Sequence, residues 1–189
     1  MERYIGAAQT IVDLALPAEP ITATHFRTRE LIYIKAPDSI NSEKEASEIV
    51  LSNFLSQAYR RPLTDEEISG ATQQFALARS NGLSYEGSIK QVIQAALISP
   101  KFLLRVESGH ETLVAYQVNE WELASRLSYF LWATMPDREL FDLAAQGRLS
   151  DPIVMEQQVF RMLRDEKANT LGDVFAAQWL GFHNVGTRI

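Results

Sequence analysis

The chain has three histidines, His25, His110 and His183, and imidazole is the side chain best suited to hold a metal or move a proton near neutral pH. Their spacing assembles no site. No two stand i, i+4 on one helix, and they fall in a connector, a joint and the C-terminal end. His183 has the chemistry of an axial haem ligand for a neighbouring module, but a cation at a helix end accounts for it better. Arg60 and Arg61 suggest an anion site; two cations at a helix C-terminus are the simpler reading. Glu122 and Arg126 stand i, i+4, the spacing of a catalytic couple or, with more weight, of a structural ion pair. Together with Arg105 they are the polar groups that would line a cleft if the chain contributes to an enzyme. The carboxylates Asp65, Glu66, Glu67, Asp137, Glu139 and Asp151 cluster in first turns of predicted helices, where negative charge is expected anyway. Ser125 and Ser128 have no nearby histidine and no nucleophile elbow. Trp121, Trp132 and Trp179, with Tyr129 and Phe130, offer a ligand- or haem-facing platform, although buried anchors with satisfied indole N–H groups are the default. There is no cysteine, which removes disulfides, thiolate catalysis and Cys-type zinc or iron–sulfur ligation from this chain. No phosphate loop or dinucleotide fingerprint occurs.

The elements that must position these groups are helices. Residues 2 to 16 carry Ile5, Ala8, Val12 and Ala15 at helical spacing, up to Pro17. Residues 17 to 42 are punctuated by Pro17, Pro20 and Pro37 and contain the β-prone run Leu31-Ile32-Tyr33-Ile34, which predicts an extended connector or a lone strand. Residues 43 to 60 predict a helix with Ile49, Val50, Phe54 and Ala58 inward, stopped before Pro62. Thr64 and Glu67 form a capping box, Asn81-Gly82 a stop, and Ser84 the cap of a helix carrying Ile89, Val92, Ile93, Ala96 and Leu97. After a polar joint around Gly109, a candidate hinge, Asn119 and Glu122 open a helix apolar on much of its surface. A short helix follows through Leu140 and Phe141, closed by Gly147. Ser150-Asp151-Pro152 starts another, with Met155, Val159, Met162 and Leu163 buried. A last helix from about Lys167 to Phe182 is expected to turn Leu171, Val174, Phe175, Trp179 and Phe182 inward. The fold class is therefore all-α: an antiparallel, bundle-like assembly of about eight helices with a short extended N-terminal connector.

The bulk numbers fit such a domain. Over 189 residues, 46% are apolar and 22% charged, an ordinary globular balance. A net charge of −6 argues against a nucleic-acid partner, which needs a basic face. No apolar run approaches the ~20 residues of a membrane span, and Met1-Glu2-Arg3-Tyr4 does not begin like a signal peptide.

Two stretches carry a family resemblance. The first includes Ala58-Tyr59-Arg60-Arg61-Pro62-Leu63-Thr64-Asp65-Glu66-Glu67 and Gln94-Ala95-Ala96-Leu97-Ile98-Ser99-Pro100-Lys101-Phe102-Leu103-Leu104-Arg105-Val106-Glu107. The second includes Glu122-Leu123-Ala124-Ser125-Arg126-Leu127-Ser128-Tyr129-Phe130-Leu131-Trp132, then Met135-Pro136-Asp137, Gly147-Arg148-Leu149 and Ala177-Gln178-Trp179-Leu180-Gly181. These resemble two adjacent domains of unknown function, numbered 1595 and 1592, abundant in planctomycetes and related bacteria. The resemblance divides the chain into residues 1–46, a candidate tail of a preceding module, 47–108 and 115–189, the last cut short at its C-terminus. It implies a fragment of a large, exported, multidomain protein whose other modules often carry haem c. It implies no activity and no catalytic residues, so the expected partners are neighbouring domains of the same polypeptide. No cofactor is assigned to this chain, because Cys-x-x-Cys-His is absent. Two alternatives stand beside the scaffold reading: an oxidoreductase or carbohydrate-active enzyme completed by other domains, and a small-ligand pocket among the helices.

Overall fold

The computed structural model describes residues 2–19, 22–38, 40–105, 107 and 116–181. The expected hinge at Gly109, together with His110, Phe182 and His183, lies outside the described residues. The chain divides into two compact units, 1–106 and 107–189. Among the described residues the structure is all-α with no strand, and no helix is long and apolar enough to cross a membrane.

In the first unit, α1 (Glu2–Ala15) turns Ala8 and Val12 inward, with Leu16 just beyond its end. It packs on α5. The extended connector expected over residues 17 to 42 is corrected: α2 (Ala23–Ile32) forms there, capped by the Thr22 hydroxyl accepting from the His25 amide. The helix takes only Leu31 and Ile32 of the β-prone run; Tyr33 is its C-cap, and residues 33–38 carry no regular structure, while Ile32 and Tyr33 pack, partly buried, against the core.

The next three helices, α3 (Glu43–Tyr59), α4 (Asp65–Ser80) and α5 (Tyr85–Leu97), pack against one another. Both α3 and α4 begin with reciprocal capping boxes, Ser42 with Glu45 and Thr64 with Glu67. Each box satisfies backbone N–H groups that a helix start leaves without intrahelical partners. Leu83 follows Gly82, whose φ of 88° supplies the left-handed turn before the Ser84 cap. The inward side of α3 is Ala46, Val50, Leu51, Leu55 and Ala58. Ile49, expected inward, is exposed instead. Val12, Leu16, Val50, Leu51, Leu55, Phe75, Ile89, Val92 and Ile93 form the core, each side chain contributing roughly 1.5–3 kcal/mol by burial. The single turn α6 (Pro100–Leu103), capped by Ser99, closes the unit.

The second unit is built on α7 (Glu120–Trp132), opened by the expected Asn119–Glu122 capping box. Next come α8 (Arg138–Ala145), capped by Asp137, and α9 (Pro152–Leu163), capped by Asp151 with proline in its first turn. Glu120 accepts from the amides of Leu149 and Ser150 at 2.7 and 3.1 Å, fixing the loop between α8 and α9. Ala124, Leu131, Trp132, Leu140, Leu149 and Met162 make the core. Leu163, expected inward, is exposed, and Val154 is buried in its stead.

The long last helix is also corrected. A 3₁₀ turn at Glu166–Ala168 and a π-helical stretch at Leu171–Ala176 lead into α10 (Ala177–Trp179). The i→i+5 winding breaks the 3.6-residue period on which the inward stripe was counted. Leu171 still packs on the core, but Val174, Phe175 and Trp179 are exposed.

Candidate functional site

One polar cluster of the first unit is centred on Glu67. Its position follows from the capping box, which turns the third residue of α4 back toward the helix start. The carboxylate accepts from the Thr64 amide at 2.9 Å, from both Nη atoms of Arg61 at 2.9 and 2.8 Å, and from Lys101 Nζ at 2.5 Å. Its side chain is only 9% exposed. The Arg61 fork, aided by Lys101 and the Thr64 amide, lowers the Glu67 pKa to about 2 against the opposing effect of burial. The same bonds raise the pKa of Arg61. Lys101 also stands 5.8 Å from the centre of the Tyr59 ring.

Arg60 has a different task. It ends α3 in the left-handed region, with φ 60°, and its buried guanidinium donates to four carbonyls. These belong to Ala58 at 3.2 Å, Lys101 at 2.8 Å, Phe102 at 3.2 Å and Leu104 at 2.9 Å. Three of them are carbonyls around the end of α6, so Arg60 caps a helix much further along the chain. The adjacent arginines thus split: Arg61 joins a charge cluster and Arg60 binds backbone.

Near the α3–α5 assembly, Arg29 of α2 pairs with Glu86 and stands 5.3 Å from the Tyr33 ring centre. Burial first, and then the nearby Glu86 carboxylate, push the Tyr33 phenol up to about 12.

In the second unit Trp132 is a core anchor, 2% exposed, with its indole N–H donating to the Met162 carbonyl at 2.9 Å. Lys167 Nζ lies 4.2 Å and the Arg161 guanidinium 5.5 Å from its ring centre. Arg161 also forks onto Asp137 at 2.7 and 3.2 Å. Burial raises the Asp137 pKa, but Arg161 and the Leu140 amide outweigh it, so the carboxyl stays below its ordinary range. Trp179 is the opposite case at 75% exposed. It stacks on Phe175 at 6.0 Å, and Phe175 meets Phe130 edge-on at 5.6 Å.

Glu122 acts electrostatically on Arg126, as their spacing predicts, and each has a further partner. Glu122 serves the capping box, accepting from the Asn119 amide at 3.0 Å, while the Arg126 fork engages Glu107 at 2.7 Å on Nε and again through Nη2. Arg105 belongs to the first unit and Glu122 and Arg126 to the second. Glu67 is recognisable in the sequence as the third residue of a Thr-x-x-Glu box. Its partner Lys101 and the Glu107 partner of Arg126 arise only from tertiary packing. Among the described residues no group of three or more His, Cys, Asp or Glu side chains could hold a metal ion.

Two helical units, each with its own core and its own structural charge cluster, define an all-α tandem. Residues 46–107 match the family described as PSD5, protein of unknown function (DUF1595). Residues 118–188 match PSD4, protein of unknown function (DUF1592). The chain carries these two domains side by side, in that order. No curated protein and no solved structure matches it.

Proposed function

We propose that this chain is a helical scaffold and interaction module of a larger, exported, haem-associated multidomain protein, and that it docks onto neighbouring domains of the same polypeptide. The observation that supports this reading is the exposed aromatic stack Phe130–Phe175–Trp179, flanked by exposed Val174 and Leu180. A contiguous apolar surface in water is unfavourable unless something covers it. The named charge clusters support it too: Arg60, Arg61, Glu67, Glu122 and Arg161 make bonds to helix ends or to capping carboxylates. The exported, haem-associated setting rests on the family resemblance, with haem c in neighbouring domains, since a chain without cysteine cannot supply Cys-x-x-Cys-His.

The test is to sequence the reading frame outward in both directions and then purify the full-length product. A signal peptide upstream, Cys-x-x-Cys-His motifs in flanking domains and a haem-stained band are the expected results. A frame that starts at Met1 and stops at Ile189, yielding a colourless monomer, would overturn the reading.

A further inference from the structure

We infer that the outer side of α1 is a self-association surface, through which two copies of this chain pair by antiparallel α1 helices about a two-fold axis. This is independent of the proposed docking onto neighbouring domains, whose aromatic stack belongs to the second unit.

The sequence of α1 carries two apolar stripes. Ala8, Val12 and Leu16 form the inward one, each 4% exposed or less, and Val12 and Leu16 join the core of the first unit. Tyr4, Ala7, Ile11 and Leu14 form the other, three, four and three residues apart. That is the a/d spacing of a heptad seam, and it lies roughly 100° round the helix from the inward stripe. All four residues are exposed, Tyr4 at 58%, Ile11 at 56% and Leu14 at 68%. Glu2, Gln9 and Asp13 take the remaining side. A helix packed on one face alone needs only one apolar stripe; α1 has a second, with the period that a partner helix reads.

The seam is complementary to itself. Its four positions are symmetric about residue 9, so antiparallel pairing sets Tyr4 opposite Leu14 of the second copy and Ala7 opposite Ile11 of the second copy, each layer occurring twice. The same patch serves both copies, as a closed two-fold pair requires. A parallel pair would put Ala7 on Ala7 and leave a gap. It would also bring the two Arg3 side chains level, whereas the antiparallel pair holds them about 18 Å apart along the axis. Each Arg3 then flanks the end of the other copy's α1. That end has no basic residue in its own last turn, bears the negative pole of the helix, and is followed by the exposed Glu19. Among the described residues neither Arg3 nor Glu19 has an ion-pair partner. The four seam residues and Arg3 offer on the order of 500 Å² per copy, so the pair buries roughly 1,000 Å², the size of a weak, reversible dimer.

The experiment is sedimentation velocity of the whole chain from about 5 to about 500 µM, with dimerisation expected at a Kd of about 10–100 µM. Ile11→Lys changes an exposed position and leaves the inward stripe intact; it should keep the chain monomeric over that range with an unaltered far-UV circular dichroism spectrum. Arg3→Glu should weaken the dimer roughly three- to tenfold, and Trp179→Ala, in the second unit, should leave it unchanged. Orientation is read from disulfides, because the chain has no cysteine of its own. Tyr4→Cys and Leu14→Cys chains, mixed and mildly oxidised, should cross-link to each other, while either variant alone should cross-link far less. If Ile11→Lys does not fold, the cross-linking carries the test. A monomer at every concentration, a dimer that survives Ile11→Lys or is lost with Trp179→Ala, or cross-linking of one variant alone as efficient as that of the mixture would overturn the inference.

Discussion

Replacing Glu67 by glutamine removes one charge and leaves the shape of the side chain almost unchanged. The remaining amide oxygen can still accept from the Thr64 N–H, so most of the α4 cap survives. The amide NH₂, however, faces donors of Arg61 and Lys101 that need acceptors. The pKa of Glu67 falls from 4.5 to about 2 in the folded protein. At 1.36 kcal/mol per unit, and with some allowance for the half-exposed Lys101, that is about 2–3 kcal/mol of folding stability. The sign follows from a folded pKa below the unfolded one. The contribution is fully present above pH ~4.5 and is lost as pH falls toward 2. The assay is urea unfolding of wild type and Glu67→Gln, followed by far-UV circular dichroism at pH 7, 4 and 2.5. All three tryptophans lie after residue 120, so indole fluorescence is silent about the first unit. The variant should unfold earlier at pH 7 by about 2–3 kcal/mol, and the gap should close progressively between pH 4.5 and 2. Equal midpoints at pH 7, or a gap of constant size down to pH 2.5, would refute the account of Glu67 as a charged clamp.

Three further outcomes are expected. Trp132→Phe should destabilise the second unit by about 1–3 kcal/mol, because it removes the indole donor from the Met162 carbonyl, which keeps the Asp165 amide, and opens a small cavity; thermal unfolding monitored at the second-unit amides checks this. Ala133→Gly should stabilise by roughly 0.5–1 kcal/mol, since Ala133 ends α7 at φ 51°, where glycine bears no Cβ penalty; its urea midpoint should rise. Trp179 should be quenched freely by acrylamide while Trp132 is shielded, so Trp179→Phe should remove most of the quenchable emission from the isolated chain.

Elements bounded by strong local chemistry are legible in the amino-acid sequence itself. The Thr64–Glu67 and Asn119–Glu122 boxes and the Asp151-Pro152 start each close a local hydrogen-bond set, and each forms where expected. The Ser42–Glu45 box carries the same pattern, Ser-x-x-Glu, at the start of α3. In contrast, α2 is not legible: it ends within the β-type run Leu31-Ile32-Tyr33-Ile34, its start is set by the Thr22 cap, and its contact with the core through Ile32 and Tyr33 is tertiary. At the sites, the split between Arg60 and Arg61 leaves no trace in the sequence because adjacent residues diverge only once the backbone enters the left-handed region at Arg60. Glu122 and Arg126 have the spacing that lets one act on the other, but the direct bonds to the Asn119 amide and to Glu107 could not be read from that spacing. Trp179 leaves the expected inward stripe because a 3.6-residue count does not survive a π turn.

The carbonyls that receive Arg60 also impose an order in time. A one-turn helix such as α6 cannot nucleate alone, because the first turn fixes several dihedrals for a single hydrogen bond. Three of its terminal carbonyls wait for a guanidinium 41 to 44 positions earlier in the chain. That guanidinium is in place only after α3 has ended in its left-handed cap. Residues 100–104 should therefore be the last part of the first unit to become protected from amide exchange during refolding, and the first part to lose that protection when Arg60 is replaced by lysine.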